Sequence, residues 1–569
     1  MESDGPSTIT MLSTNYMLSA DLGTFAYHSL IALMAKLSII ISSEALFILA
    51  VSTLILAMAL RYILYFDPNR RLNLPPGPRP WPLIGNLLVF VNADTIHSKL
   101  RELAKVHGPM YTVWIGSYPT VVLSGIKSTR DAMVRKGAIF SSRPQKYSWQ
   151  FFTNGCRTLL TSPTSPYWHN LRRVYSKRML STEAVAHYAE VRMSEIRKSV
   201  EAFRRAQASS ESSSPSPSGF DPEPIIRMQM SNIITRMNFG DDFDAEGQEI
   251  PMGPGGALIR RSVYMEALCE RYRTITMGSI AHLGDYIPCL RNLAASKAVY
   301  SNYKSLEAEV KAWMMPLVKN HRRELAARGY KADSSTRENF IDIFMSLEGE
   351  EKLSDMDIMW ILVELVMGAT DTTTGTTHWA LAHCLAYPDA QRRLYDEIVS
   401  VVGHDRAVEE ADLPNLPCLQ AFVKETLRIK SPVALGAPHA TTQYCNLAGY
   451  DIPAKTDIIV HAGSLANDEE IWDSPQEFRP ERFLSLTDAQ RHAYIPFGLG
   501  KRICPGMHMG LLQVQITIAT LVQTFEWIPA DPESGVALSE KLHFIVIPNI
   551  NLRAFIRERN PKTSSLRTY

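Results

Sequence analysis

The sequence predicts a mainly α-helical body with a small β region, preceded by one apolar helix near its start. Three observations lead there. Apolar residues recur at helical spacing over long stretches of the body, strand-like runs are short and few, and residues 45–66 are apolar with Arg61 as their one charge. With 569 residues, 46% of them hydrophobic and 21% charged, the chain can bury one large core and carry an appendage. A formal net charge of +1 argues against a nucleic-acid partner, which would call for a basic excess. The seven cysteines are scattered, odd in number and without a C-x-x-C pair, which fits free thiols in a reducing compartment.

Taken in order, residues 1–44 form a leader, 45–66 a transmembrane anchor, 67–82 a proline-rich hinge, 83–557 the body and 558–569 a tail. Ala45–Phe66 reaches the ~20 residues that a helix needs to cross a bilayer. Arg61 lies near one end, where it can snorkel to the headgroups. Arg70, Arg71 and Arg79 follow, whereas the leader holds Lys36 against Glu2, Asp4, Asp21 and Glu44, so the positive-inside rule puts the body in the cytosol. Leu74-Pro75-Pro76-Gly77-Pro78-Arg79-Pro80-Trp81-Pro82 fixes a stiff, extended spacer.

In the body, helices are expected at Thr95–His107, Trp168–Leu180, Glu183–Ala206, Ser301–Arg328 with a bend at Pro316, Ser354–Ala386 and Asp389–Val402. Strands are expected at Met110–Ile115, Thr120–Leu123, Cys445–Ile452, Asp457–His461 and His543–Ile547, with loops at Ser209–Gly219 and Gly247–Gly256. The Ser354 helix is ~30 residues long, opened by Ser354 as N-cap with Asp357 three residues on. Its centre is poor helix chemistry: Gly368, Gly375 and six threonines between Thr370 and Thr377 stand where Ala or Leu is preferred. A threonine hydroxyl there can bond back to the i−4 carbonyl. A local rule broken mid-helix points to function.

The run Phe497 to Gly506, FGLGKRICPG, sets one thiol, Cys504, among glycines and cations just before an apolar helix-like run, Met507–Phe525. A helix N-terminus and backbone N–H groups favour a thiolate there. A single thiolate cannot close a zinc site, but it can be the one protein ligand of an iron that a macrocycle already holds. Gly500 and Gly506 would let backbone approach something large and flat, and Arg502 offers a cation to an acidic group.

Phe497, Gly500, Arg502, Cys504 and Gly506 match F-x-x-G-x-R-x-C-x-G, so the chain resembles the cytochrome P-450 family, most closely its plant-type microsomal group. At ~5% usage per residue type, five fixed positions occur by chance in on the order of 10⁻⁴ of chains this long. Four further motifs stand in the family's order: the proline hinge, Trp168-x-x-x-Arg172, Gly368-Ala369-Thr370-Asp371-Thr372-Thr373, and Glu425-x-x-Arg428 followed by Arg482 in P-E-R-F. The resemblance implies the family's fold over roughly residues 45 to 555. It implies haem b ligated by Cys504, haem-edge donors in Arg502, Trp168, Arg172 and His439, and an oxygen site at Ala369. It further implies a proton relay of Asp371 and Thr372 and a structural triad of Glu425, Arg428 and Arg482.

By the same resemblance the protein is a monooxygenase of the endoplasmic reticulum membrane, single-pass, with its catalytic domain in the cytosol. It would insert one oxygen atom of O2 into a small apolar metabolite. Electrons would come from NADPH through a separate flavoprotein reductase, with cytochrome b5 as a further partner and membrane lipid around the anchor. Arg173, Lys177 and Arg178 suit docking of an acidic electron donor, or are a solvated face. A same-fold isomerase or dehydratase and a non-catalytic haem carrier stay open as alternatives. Pocket segments are expected around Tyr147–Thr164, Leu258–Tyr286, Leu362–Thr372, Val433–Ala437 and His543–Ile547, with fatty acids, terpenoids and phenylpropanoids all open as substrates.

Overall fold

The computed structural model describes residues 43–559 apart from 66–71, 83, 91–95, 117, 213–217, 241–242, 244–249, 252–257, 281–282, 329–337, 534, 543–544 and 550–551. The expected leader up to residue 42, the start of the hinge, most of the Gly247–Gly256 loop and the expected tail from residue 560 on lie outside the described residues. The chain divides into two units, Met1–Leu72 and Asn73–Tyr569.

In the first unit a helix runs Ser43–Tyr65. The side chains of residues 58–65 are outside the described set, and among the described residues no helix is long and apolar enough to cross a membrane.

The second unit opens on the proline-rich segment, which is extended as expected but is not a free spacer. The Thr112 N–H donates to the Pro76 carbonyl at 2.8 Å, and the Asn86 side chain donates to the Pro78 and Arg79 carbonyls. Gly77 permits the contact, since a Cβ there would lie 1.9 Å from the Thr112 oxygen. The segment thus lies against the first strand of a four-stranded sheet in the order Met110–Ile115, Tyr118–Leu123, Asp457–Val460, His439–Ala440. Its pairs run antiparallel, parallel and antiparallel, with Thr120 opposite Asp457 in the parallel pair. The expected strand Cys445–Ile452 is a tight hairpin, Cys445–Leu447 and Tyr450–Ile452, turning at Ala448-Gly449 where both residues have positive φ.

Helices dominate the rest. Ser354 caps Asp355–Ala386 in a full capping box with Asp357, as its spacing predicts. Ser165 caps Pro166–Val174, and the expected helix to Leu180 ends in a π turn, Tyr175–Met179. Tyr188 divides the expected Glu183–Ala206 helix into Thr182–His187 and Ala189–Ser212. Pro316 lies inside one helix, Ala294–Arg328. Helices Glu223–Phe239 and Arg261–Ile280 were not expected, because their apolar residues form no single stripe.

Two apolar cores meet the long central helix at its two halves. Ile358 to Met367 join one core, and Trp379 to Leu385 join the other. Between Met367 and Trp379 the helix gives neither core a fully buried apolar side chain. Its two glycines and six threonines there cost ~5 kcal/mol of helix propensity against alanine. Eight buried apolar side chains in Ile358–Met367 contribute roughly 12–24 kcal/mol by themselves. The packed halves therefore carry the weak centre.

Candidate haem-thiolate site

The weak centre of the helix and the cysteine loop wall one cavity of ≈ 360 Å³, mostly apolar, inside the second unit. Cys504, Phe497, Gly506, Arg502, Trp168, Arg172, His439, Gly368, Ala369 and Thr372 all line it. Gly500 and Asp371 do not.

The thiol is placed by local backbone chemistry. The Cys504 N–H donates to the Phe497 carbonyl at 2.9 Å, closing the loop, and the helix Met507–Thr524 begins three residues on with Gly506 at its N-cap. Burial pushes the thiol's pKa up, while the Gly506 N–H and the Arg172 charge pull it down. Gly500 departs from the expectation. Its φ is +73°, and a Cβ there would lie 2.0 Å from the Met133 carbonyl, so it accommodates the protein's own backbone and not a flat ligand. Gly498 lines the cavity in its place.

Across the helix, the Thr372 hydroxyl donates to the Gly368 carbonyl at 2.7 Å, and Thr376 and Thr377 make the same back-bond to Thr372 and Thr373. Asp371, one residue around the helix, faces elsewhere. It is buried and pairs through Oδ1 with Arg227 and Arg273, each at 2.8 Å. Burial raises its pKa, and the two arginines oppose that. Asp371 Oδ2 has no hydrogen-bond partner among the described residues. No direct Asp371–Thr372 hydrogen bond is present among the described contacts.

The haem-edge residues are brought together with one addition. Arg502 donates to the carbonyls of Ser141, Leu159 and Ser162 at 2.7, 3.1 and 2.7 Å, and its guanidinium stacks 3.8 Å from the centre of the Trp168 ring. Trp168 departs from the expected propionate donor, because its one N–H already goes to the Leu159 carbonyl at 3.2 Å. His439 sits in the edge strand with Nδ1 3.0 Å from the Phe140 carbonyl. A neutral ring must place its proton there, which leaves Nε2 an acceptor. Burial, Arg143 and Arg502 hold its pKa well below the ordinary histidine range. Arg172 makes no hydrogen bond or ion pair among the described residues, and burial lowers its pKa.

Arg143 was missed from sequence, being a lone arginine in Ser141-Ser142-Arg143-Pro144 with no periodic signal. It lines the cavity and donates to the carbonyls of Leu160, Ala437 and Pro438. Burial lowers Arg143 to about 10, and burial with Arg143 and Arg172 nearby lowers Arg502 to about 8. Three arginines thus face one carboxylate, Glu364, among the described lining residues. The surplus of two positive charges beside a buried thiol fits a large, flat, apolar group with two carboxylates, and haem b is such a group.

The triad forms as its spacing suggests. Glu425 takes Arg428 at 2.7 and 2.9 Å and Arg482 at 3.0 Å, and the remaining Arg428 donors reach the Ala466 and Pro475 carbonyls. The basic face is less basic than expected, since Arg173 pairs with Glu351 and Arg178 with Glu338. Two of the expected pocket segments, Leu258–Tyr286 and His543–Ile547, give the cavity no described lining residue. The Arg261–Ile280 helix instead sends Arg273 to Asp371, and Val546–Pro548 pairs with Glu540–Leu542.

A family model for cytochrome P-450 matches residues 75–552. The chain is 30% identical to a flavonoid 3'-monooxygenase of Petunia hybrida over 490 residues, 84% of this chain and 90% of that protein. It is 30% identical to a trans-cinnamate 4-monooxygenase of Glycine max over 482 residues, 83% of this chain and 90% of that protein. A solved zebrafish cytochrome P-450 with progesterone shares the fold at a TM-score of 0.64 and 21% identity, covering 81% of this chain and 99% of that one. The chain therefore belongs to the cytochrome P-450 family of monooxygenases, which use a cysteine-ligated haem, O2 and electrons from a reductase.

Proposed function

We propose that the protein is a membrane-anchored monooxygenase that inserts one oxygen atom of O2 into a small apolar metabolite, with electrons passed from NADPH through a flavoprotein reductase. The observation that carries this reading is one apolar cavity walled by both Cys504 and Thr372. Cys504 would hold the haem iron, and Arg143, Arg172 and Arg502 the haem carboxylates. The bound group would supply the one-electron and O2 chemistry, with the Cys504 thiolate as its electron-donating ligand.

The chain's own residues position and protonate. Thr372 holds a proton at Oγ1 on the cavity wall, and the neighbouring glycine and alanine leave room beside it. Asp371 belongs to the supply side. Its Oδ1 is held by Arg227 and Arg273, which keep their own protons, so Oδ2, without a hydrogen-bond partner among the described residues, would be the atom that takes up a proton there. Glu425, Arg428 and Arg482 fix the polypeptide around the cysteine loop and take no part in the reaction.

The anchor is the helix Ser43–Tyr65. Its 23 residues span about 34 Å, and Phe47, Ile48, Leu49, Leu54, Ile55 and Leu56 are all more than half exposed. An apolar surface of that kind suits lipid. The positive-inside pattern puts the body on the cytosolic face of the endoplasmic reticulum membrane, within reach of the reductase and cytochrome b5.

Microsomes containing the protein and a reductase, fed a panel of plant metabolites, test the reading. The expected result is NADPH-dependent O2 uptake with an oxygenated product. Flavonoids come first, with trans-cinnamate beside them as the carboxylate-bearing contrast, given the substrates in the relatives' names. Product without O2 uptake would mark an isomerase or dehydratase instead.

A further inference from the structure

Glu364 is the one acidic side chain among the described lining residues of the cavity, and nothing in the oxygen chemistry uses it. It lies on the central helix at i−4 from Gly368 and i−8 from Thr372, and all three line the cavity. Two turns separate Glu364 from Thr372, about 12 Å along the axis. Among the described residues its carboxylate has no arginine within ion-pair distance. The Leu160 N–H donates to both oxygens at 3.2 and 3.1 Å, and Thr158 and the Leu159 N–H also bond to it. These are three donors, the Leu160 N–H being shared between the two oxygens, and a carboxylate has about four acceptor positions, which leaves room for one donor from the cavity.

We propose that Glu364 is the specificity-determining anchor of this cavity, accepting a hydrogen bond from a neutral, hydroxyl-bearing ligand and turning away ligands that carry a carboxylate. In the holoenzyme the haem carboxylates offset Arg143, Arg172 and Arg502, so Glu364 is the charge that a ligand meets on these walls, and a ligand carboxylate is disfavoured. A neutral hydroxyl meets no such objection and can donate to the carboxylate. A molecule about as long as two helical turns then reaches from Glu364 to Thr372. The proposal rests on the reading of this cavity as the substrate site.

The groups that set the charge of Glu364 are Arg143 and Arg502, with Tyr167, Tyr175 and Tyr272 around it. Burial pushes the carboxyl up to about 7, against Thr158, the Leu159 and Leu160 amides and Arg143. Selection against carboxylates therefore sharpens as pH rises through about 7.

Equilibrium dialysis of the holoenzyme with para-phenylphenol, para-phenylbenzoate and biphenyl tests this. At a pH above that value the phenol binds about tenfold tighter than the benzoate, and Glu364→Gln removes most of the ratio while leaving biphenyl within about twofold. A ratio that survives Glu364→Gln, or three ligands that weaken together as they would if Glu364 only pinned the Thr158–Leu160 loop, overturns the proposal. If the variant does not fold, the unmodified protein decides. Benzoate binding must weaken against phenol binding as pH rises through about 7, and a flat ratio overturns the proposal. Dialysis reads ligand retention without turnover, so a failure of the oxygen-insertion reading shows separately, as discrimination kept with no oxygenated product.

Discussion

Arg428 and Arg482 share the carboxylate of Glu425 in a network with every partner at 2.7–3.0 Å, whereas Arg143, Arg172 and Arg502 meet one cavity with Glu364 as their one acid. The first cluster is closed. Glu425 and Arg428 are fully buried, and the spare Arg428 donors end on carbonyls. The second is open, with Arg172 unpaired among the described residues and a net surplus of cations. The difference teaches which buried charges are structure and which await a ligand. A closed network satisfies itself, and an open one is balanced by something the chain does not encode.

Breaking the closed network has the largest expected effect. Glu425→Ala leaves two buried guanidiniums without a counter-charge and costs about 3–5 kcal/mol, read as a lowered denaturation midpoint or as loss of folded protein. A loss under about 1 kcal/mol would show the network to be dispensable. Thr372→Ala comes next, because it touches the cavity wall and neither cluster. Product formation falls about 100-fold or more while haem content and denaturation midpoint stay unchanged. If the midpoint moves as well, the threonine serves packing.

Arg172→Met sharpens the comparison directly. Removing a cation from the open cluster leaves the haem-free fold as stable or more so, and speeds haem loss to a scavenger protein about tenfold. Equal destabilisation by Arg172→Met and Arg428→Met would erase the distinction between the clusters. The smallest effect is the pH dependence of stability. The folded pKa of Glu364, about 7, stands above its ordinary value of 4.5. The folded state therefore holds its proton longer than the unfolded chain, so stability present at low pH is lost as pH rises toward about 7. Glu364→Gln should flatten that slope in chemical denaturation across the same window.

The sequence carried much of this, and unevenly. Ser354 and Asp357 named their own capping box because a cap is a local signal, and the back-bonds of Thr372, Thr376 and Thr377 follow from residue type alone. Cys504, Arg502 and the Glu425 triad were legible through motif spacing. What sequence could not show was direction. Asp371 and Thr372 are neighbours in the chain, yet about 100° of helix separates them, and the acid belongs to Arg227 and Arg273. Both arginines sit on helices whose apolar pattern gave no warning. Glu364 was within reach, as a carboxylate in an otherwise apolar helical run eight residues before Thr372. Arg143 was not, since its role depends on long-range contacts with Ala437 and Pro438.

Gly500 ties the cysteine loop to a part of the chain far from it in sequence. Its missing side chain is filled by the carbonyl of Met133, a residue that leaves the ribosome long before the cysteine loop does. The cysteine loop thus closes on backbone from a distant part of the chain, the π turn Asp131–Arg135, so the seat of the thiol depends on a long-range contact. A side chain at position 500 would meet that carbonyl and push the loop away, although the residue itself does not line the cavity.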